Sequence, residues 1–545
     1  MQGSTLAKRL WALLFGATTA VYLWGLGRLP LVGPDEPRYA QVAREMLRRG
    51  DLFTPTLGGH AWFEKPVLLY WMMMASYTVF GATEFAARVG AAVSGLLTVV
   101  FVGWLAQRVE RSAGGRMLWF GLASAGVAAA SAGLLVFSRA ASFDAPLTLT
   151  VTAALCCFFV FELDEEGRGG SLPLVGFWAG VGASLLAKGL VGPVLVFGVV
   201  GLYFVLRRRV PDLSRLGLLW GPLLALGVAS LWYAPVIMRH GRVFVDAFII
   251  QHHFARYVSN KYNHPQPFYF YLPVMALLAL PWTAFVAAGA ARAAATNWRA
   301  AETTSRLQTF ALAWLAMPVL FFSLSGSKLP GYVLPALPGA ALLAGASLAR
   351  YVRGEGGTGL MRLTGALVLL GLGGIFYAVR AGFADVWCGA LVGVPVVAAG
   401  GLALFAASKR KLCAAAVVLA ALATVALIVG CGLKETARRE SVRELIARAD
   451  AEGYSNWPVY YLLTDERTAE FYAGGRLGYK PDGSDAVRFD GEWDVWQALM
   501  KQGDGGMLIL VKNHFLHRIA DYPPLETKVI ADNGAVTIAA VRLRP

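Results

Sequence analysis

The chain has 545 residues, of which 57% are hydrophobic and only 15% charged. That composition excludes a soluble globular protein and describes a polytopic membrane protein. The net charge of +15 falls mostly in short connections between apolar segments, where positive charge sets orientation, so it gives no reason to expect a nucleic-acid partner.

Lys8 and Arg9 precede an apolar run over 10–28, read as a retained first helix because no convincing small-residue cleavage site follows it. The first loop then carries Pro34-Asp35-Glu36-Pro37-Arg38-Tyr39 and, shortly after, Phe63-Glu64-Lys65-Pro66. Charges beside a lipid boundary usually mark function. Between them, Tyr39, Val42, Ala43, Met46 and Leu47 recur at helical spacing, with Arg38, Gln41, Arg44, Glu45 and Arg48 on the other face. This predicts an amphipathic interfacial helix. Asp35 stands at its start, either as an N-cap or as a functional carboxylate; capping alone does not account for Glu36, Arg38 and the second Glu64-Lys65 pair. Residues 66–81 form a run of only about 16 apolar residues, short of the roughly 20 a crossing helix needs, and are read as lying in the interface. With that parity Arg108, Arg111 and Arg116 fall inside with Lys8 and Arg9, as the positive-inside rule prefers.

Spans are then expected near 10–28, 87–107, 117–137, 145–163, 172–187, 190–206, 216–237, 269–291, 308–324, 332–349, 361–380, 386–407 and 412–433, thirteen in all. Inside loops collect Arg207 to Arg209 with Arg215, then Arg292, Arg299 and Arg306, then Arg350, Arg353 and Arg362, then Lys409 to Lys411. The loops with Asp35, Lys65, Asp144, Lys188, His252 to His264 and Lys328 all face outward, which predicts an outward-facing active site. Asp144 opens the fourth span as a cap or as a functional acid. Lys188 either snorkels from a helix end or meets a phosphate. Lys328 lies in an irregular polar turn, Ser325 to Pro335, of the kind that lines a cavity at membrane depth. The loop from Arg239 to Phe268 carries Arg256 and His264; a solvated loop would look the same, but Glu64 and His264 are a candidate pair for a divalent cation. The five cysteines, Cys156, Cys157, Cys388, Cys413 and Cys431, lie in apolar spans without metal or pairing spacing and are assigned no chemistry.

Residues 434–545 contain no span. Helical patterns at 435–451 and 493–502 alternate with strand-like runs Val459 to Leu463 and Met507 to Lys512, and Asp532-Asn533-Gly534 is a hairpin signal between Lys528–Ala531 and Ala535–Leu543. The expected division is a membrane domain over 1–433 and a small soluble α/β domain over 434–545 with no catalytic constellation of its own.

Three blocks carry a family resemblance: Pro34 to Tyr39 running into Ala43-Arg44-Glu45-Met46; Phe63-Glu64-Lys65-Pro66 with Tyr70-Trp71; and Ser327-Lys328-Leu329-Pro330-Gly331-Tyr332. In combination the chain resembles the bacterial lipid A aminoarabinose transferases, GT-C membrane glycosyltransferases related to protein O-mannosyltransferases. Pro37 departs from the small polar residue expected there.

The resemblance implies an all-α polytopic GT-C fold of about thirteen membrane helices, with interfacial helices in the first outer loop and a small C-terminal periplasmic α/β domain. It implies an inverting transfer of 4-amino-4-deoxy-L-arabinose from undecaprenyl phosphate to a lipid A phosphate on the outer face of the bacterial inner membrane, giving resistance to polymyxin and cationic antimicrobial peptides. Departure of the donor phosphate needs cations aimed at its developing charge. Lys65 and Arg38 are the first choices, with Arg256 and Lys328 completing the clamp and Lys188 ranked behind them. The acceptor phosphate is already anionic, so Asp35, with Asp144 or Glu64, is expected to hold the sugar's ammonium or orient the acceptor rather than act as a base. Glu36, Tyr39, Tyr70 and Tyr332 complete the expected substrate-binding set. Two rivals stay open: a GT-C transferase for protein or another lipid, and a polyprenyl-lipid flippase.

Overall fold

The computed structural model describes residues 2–114, 119–164, 171–212, 214–255, 265–503 and 505–545. The chain divides into two compact units, one of Met1–Leu26, Glu64–Leu69 and Arg88–Gly430, the other of Gly27–Phe63, Tyr70–Ala87 and Cys431–Pro545.

In the first unit every predicted span holds helix, but not every helix is long enough to cross alone. Among the described residues eight helices are long and apolar enough: Glu84–Ser112, Asp144–Leu163, Gly221–Phe248, Thr303–Ser323, Pro330–Arg353, Gly359–Arg380, Val386–Phe405 and Arg410–Gly432. A ninth is reached if Phe268–Leu278 and Thr283–Ala295, bent by 119°, count as one broken span. The break contains Pro281, which has no N–H to continue a helix. The predicted thirteen full-length spans exceed this for physical reasons. The run over 117–137 is split into Phe120–Ala130 and Ala132–Phe137, with Ser131 extended between them. Leu172–Lys188 and Val191–Arg207 have 17 residues each, a rise of about 26 Å against a hydrocarbon core of about 30 Å.

The core of this unit is aromatic. Phe158 and Phe159 meet Tyr203 and Phe310 from two further helices, with Phe159 stacked on Phe310 at 4.7 Å. Trp314, fully buried one turn along, donates its indole N–H to Pro335 O at 2.8 Å. That bond fixes the 3-10 turn Pro330–Ala336 before the Leu337–Arg353 helix. Cys388 is disulfide-bonded, whereas Cys156, Cys157 and Cys413 are free; a cysteine in an apolar run thus does carry chemistry that its spacing hid, and the same holds of Cys431 in the second unit.

The second unit is built around the helix Asp35–Arg49 and a sheet. The helix ends at Gly50, whose φ of 63° lets its N–H reach back to Leu47 O and Met46 O. Tyr39, Val42, Ala43 and Met46 are buried as their spacing predicts. Gln41, assigned to the polar face, is buried too, at 2% exposure, because the C-terminal segment around Phe471 covers that face. A hairpin of β1 (Thr56–Leu57) and β2 (His60–Ala61) follows. Its Gly58 and Gly59, at φ 60° and 82°, donate their N–H groups to Glu45 at 2.8 and 3.1 Å. Leu68–Phe80 is a 13-residue apolar helix, short as predicted.

The sheet has five strands in the order β4-β3-β5-β7-β6, where β3 is Val459–Leu462, β4 Arg488–Phe489, β5 Met507–Lys512, β6 Leu525–Asp532 and β7 Val536–Leu543. β3 runs parallel to β4 and β5, while β7 runs antiparallel to β5 and β6. The β6–β7 turn is the Asp532-Asn533-Gly534 hairpin expected from sequence, with Gly534 at φ 90°. The helical pattern over 435–451 is broken into Lys434–Arg439 and Arg443–Ala449.

Candidate active site

In the first unit the Asp144–Leu163 and Leu172–Lys188 helices pack together so that the first residue of one meets the last residue of the next. Lys188 Nζ donates to Asp144 Oδ1, and both side chains are 15% exposed. Asp144 is not a cap: Phe143 occupies that position and makes no side-chain cap bond. Its second oxygen instead accepts from Ser142 Oγ at 3.0 Å. A cation and an anion at an apolar boundary each lose hydration, and pairing offsets that loss. Gly192 N–H reaches Gly189 O at 3.2 Å just past Lys188, and Gly189, at φ 69°, supplies the backbone reversal that ends the helix.

The polar turn before Leu337 brings Tyr332 to the same pair. Lys188 Nζ lies 4.5 Å from the Tyr332 ring centroid, a cation–π geometry. Gly331 leaves room for the acid, since a Cβ there would run into Asp144 Oδ2 and the Phe137 ring. Asp144, Lys188 and Tyr332, singled out separately from sequence, thus form one cluster. Lys328 is 7% exposed and donates to Ser325 O at 2.6 Å, so its ammonium ties its own turn. Tyr271 OH donates to Leu329 O at 3.1 Å, and Ser325 Oγ to Ser327 O at 3.1 Å. The buried Ser327 hydroxyl has no hydrogen-bond partner among the described residues. Elsewhere in this unit Lys65 Nζ pairs with Glu64 Oε1 at 2.9 Å, with 12% and 15% of the side chains exposed.

In the second unit Asp35 is the first residue of its helix and is exposed; Pro34 is the N-cap position, with no side-chain cap bond. The capping reading of Asp35 is therefore set aside. Glu36, 8% exposed, accepts from Val32 N at 3.2 Å and holds the loop entering the helix. Arg38 forks onto Glu470, Nε to Oε2 at 3.3 Å and Nη2 to Oε1 at 3.4 Å, with its guanidinium 5.1 Å from the Trp62 ring. Tyr39 and Tyr70 are buried and meet edge to face at 6.3 Å, a packing contact rather than an open binding surface. Arg256 and His264 lie outside the described residues. Among the described residues no three His, Cys, Asp or Glu side chains converge to hold a metal ion.

Sequence reasoning missed Ser142, Tyr271 and Gly331 in the first unit, and Glu470 and Trp62 in the second. Ser142 stood two residues from Asp144 and was legible as a hydroxyl partner. Glu470 gave no signal, because its partner Arg38 lies 432 positions away.

Residues 30–294 match the family model of dolichyl-phosphate-mannose-protein mannosyltransferases. The chain is 34% identical over 333 residues to an undecaprenyl phosphate-alpha-4-amino-4-deoxy-L-arabinose arabinosyl transferase of Yersinia enterocolitica, covering 59% of this chain and 56% of that one. A second transferase of this name from Sodalis glossinidius is 34% identical over 353 residues, covering 64% and 60%. The chain thus spans nearly three fifths of the length of these curated relatives. Its structure is similar to that of ArnT from Cupriavidus metallidurans bound to undecaprenyl phosphate, with a TM-score of 0.77 at 23% identity over 97% of this chain and 98% of that one. A helical membrane fold with charged pairs at its helix ends and a small C-terminal sheet defines a membrane protein of the GT-C type. Within that class the chain is ArnT-like, a relative of the undecaprenyl phosphate-aminoarabinose arabinosyl transferases.

Proposed function

We propose that the chain is an inverting glycosyltransferase that moves 4-amino-4-deoxy-L-arabinose from undecaprenyl phosphate to a phosphate of lipid A, at the periplasmic face of the bacterial inner membrane. Residues 434–545 are then a periplasmic domain. The observation that carries the reading is the exposed carboxylate of Asp35 at the first turn of its helix, an anion that no bond among the described residues accounts for. The names of the relatives, which specify an undecaprenyl phosphate-linked aminoarabinose donor, support the substrate.

The roles follow from charge. Glycosyl transfer passes through an oxocarbenium-like state in which the anomeric carbon gains positive charge and the departing phosphate negative charge. Lys65 and Lys188 are ammonium groups placed at an apolar boundary by their carboxylate partners, Glu64 and Asp144. In this reading they neutralise the leaving phosphate, while Asp35 holds the sugar's ammonium or orients the acceptor. The acceptor phosphate is anionic at neutral pH and needs no general base.

Mass spectrometry of lipid A tests this, in a host that makes the donor but lacks its own transferase. A gain of one aminopentose with the wild-type chain, lost with Asp35→Asn, supports the reading. Unchanged lipid A beside inserted, folded protein sinks it.

A further inference from the structure

Three positions of one short C-terminal stretch, Glu470, Phe471 and Gly474, hold the polar stripe of the Asp35–Arg49 helix. Arg38 forks onto Glu470. Arg44 donates to Phe471 O and lies 4.4 Å over the Phe471 ring. Arg48 donates to Gly474 O at 3.3 Å. Tyr472 OH accepts from Leu31 N at 2.7 Å and donates to Glu84 Oε1 at 3.1 Å. The loop that leads into Asp35 and the three arginines behind it are therefore all fastened to one short stretch.

Glu470 is the unusual member. Its side chain is 1% exposed and sits between two guanidiniums, Arg38 and Arg467, the latter at 3.2 Å and itself bonded to Asp485 at 2.8 Å. Burying a carboxylate is costly, and an apolar side chain would pack this position without that cost. What the carboxylate adds is direction: two acceptor oxygens fix the plane and reach of the Arg38 fork, one helical turn from Asp35.

We propose that Glu470 is a positioning residue for the transfer reaction, holding Arg38 and through it the helix turn that presents Asp35. This rests on the transferase reading above, and it gives the C-terminal segment a role in setting the geometry of the first loop.

The test uses the full chain in detergent, with lipid-linked aminosugar and lipid A as substrates, comparing wild type with Glu470→Gln, Glu470→Asp and the peripheral control Glu452→Gln. Two quantities are read: kcat and KM, and amide hydrogen exchange over residues 31–49 and over β5 and β7. Glu470→Gln is expected to lower kcat on the order of tenfold with little change in KM and to speed exchange over 31–49 while β5 and β7 stay protected. Glu470→Asp, which keeps the charge on a shorter arm, falls between, and Glu452→Gln matches wild type. Unchanged kcat and unchanged exchange over 31–49 overturn the proposal, as does loss of protection throughout β5 and β7, which marks a general folding role. If wild type itself transfers no aminopentose, the transferase reading fails; the positioning of the Asp35 turn is then decided by exchange alone, supported if Glu470→Gln loosens 31–49 and overturned if it does not.

Discussion

Lys188 Nζ donates to Asp144 Oδ1, joining the last residue of one helix to the first residue of the helix packed against it. Each is the other's charge partner at an apolar boundary, so removing one leaves the other desolvated and unpaired. Lys188→Ala and Asp144→Ala are each expected to lower the melting temperature of the detergent-solubilised chain. The double variant should cost less than the two losses summed, with a coupling of roughly 0.5–3 kcal/mol. Simple additivity in that cycle would mean that the two groups act independently.

Gly331 is where this pair is most easily disturbed without touching a charge. An alanine Cβ there falls on Asp144 Oδ2 and within 2.6 Å of the Phe137 ring. Gly331→Ala is expected to destabilise by about 1–3 kcal/mol through overpacking and to reduce aminopentose transfer. Gly201→Ala, on a helix where a new Cβ meets nothing within 4 Å, is the matched control and should leave both transfer and stability as they are or slightly raise the latter. Equal transfer by the two variants would show that the acid's placement is not critical.

Asp35 and Glu36 are neighbours with opposite expectations. Asp35 is exposed and makes no cap bond, so Asp35→Asn should leave the melting temperature within the range of surface substitutions, about 0.5 kcal/mol, while transfer falls by roughly a hundredfold or more. Glu36 is buried and accepts from Val32 N, so Glu36→Ala should cost about 1–3 kcal/mol of stability by leaving that donor unmet. Thermal unfolding beside a transfer assay separates the two. Full transfer by Asp35→Asn would remove the carboxylate from the mechanism.

What could be read from sequence here was local. The helix over 35–49 follows from its apolar spacing, the β6–β7 hairpin from Asp532-Asn533-Gly534, and the interest of Asp144 and Lys188 from charge at an apolar boundary. Pairings between distant segments were not legible: Asp144 with Lys188 is set by how two helices pack, and Arg38 with Glu470 by a contact across 432 positions. The stripe of Arg38, Gln41 and Arg44 reads from sequence only as the polar face of an interfacial helix, because a sequence pattern does not distinguish water, headgroups and a docking segment as the polar neighbour. Helix breaks at Ser131 and around Pro281 were missed because hydropathy alone registers apolar length, although the proline was a usable signal.

The Glu470 carboxyl is held above the ordinary glutamate range, chiefly by burial, against the opposing pull of Arg38 and Arg467. A raised value in the folded state means that folded protein binds this proton more tightly than the unfolded chain, whose glutamates titrate near about 4.3. The stabilising contribution is therefore full below that value and is lost as pH rises through the folded-state value. Glu470→Gln keeps the shape of the protonated acid but cannot titrate. The melting temperature of wild type minus that of the variant should accordingly be most favourable to wild type in acid and decline as pH rises across this window, in full-length protein at fixed salt. A gap independent of pH would show that the carboxyl titrates alike in both states, and a gap that widened with pH would show that its two arginines outweigh burial.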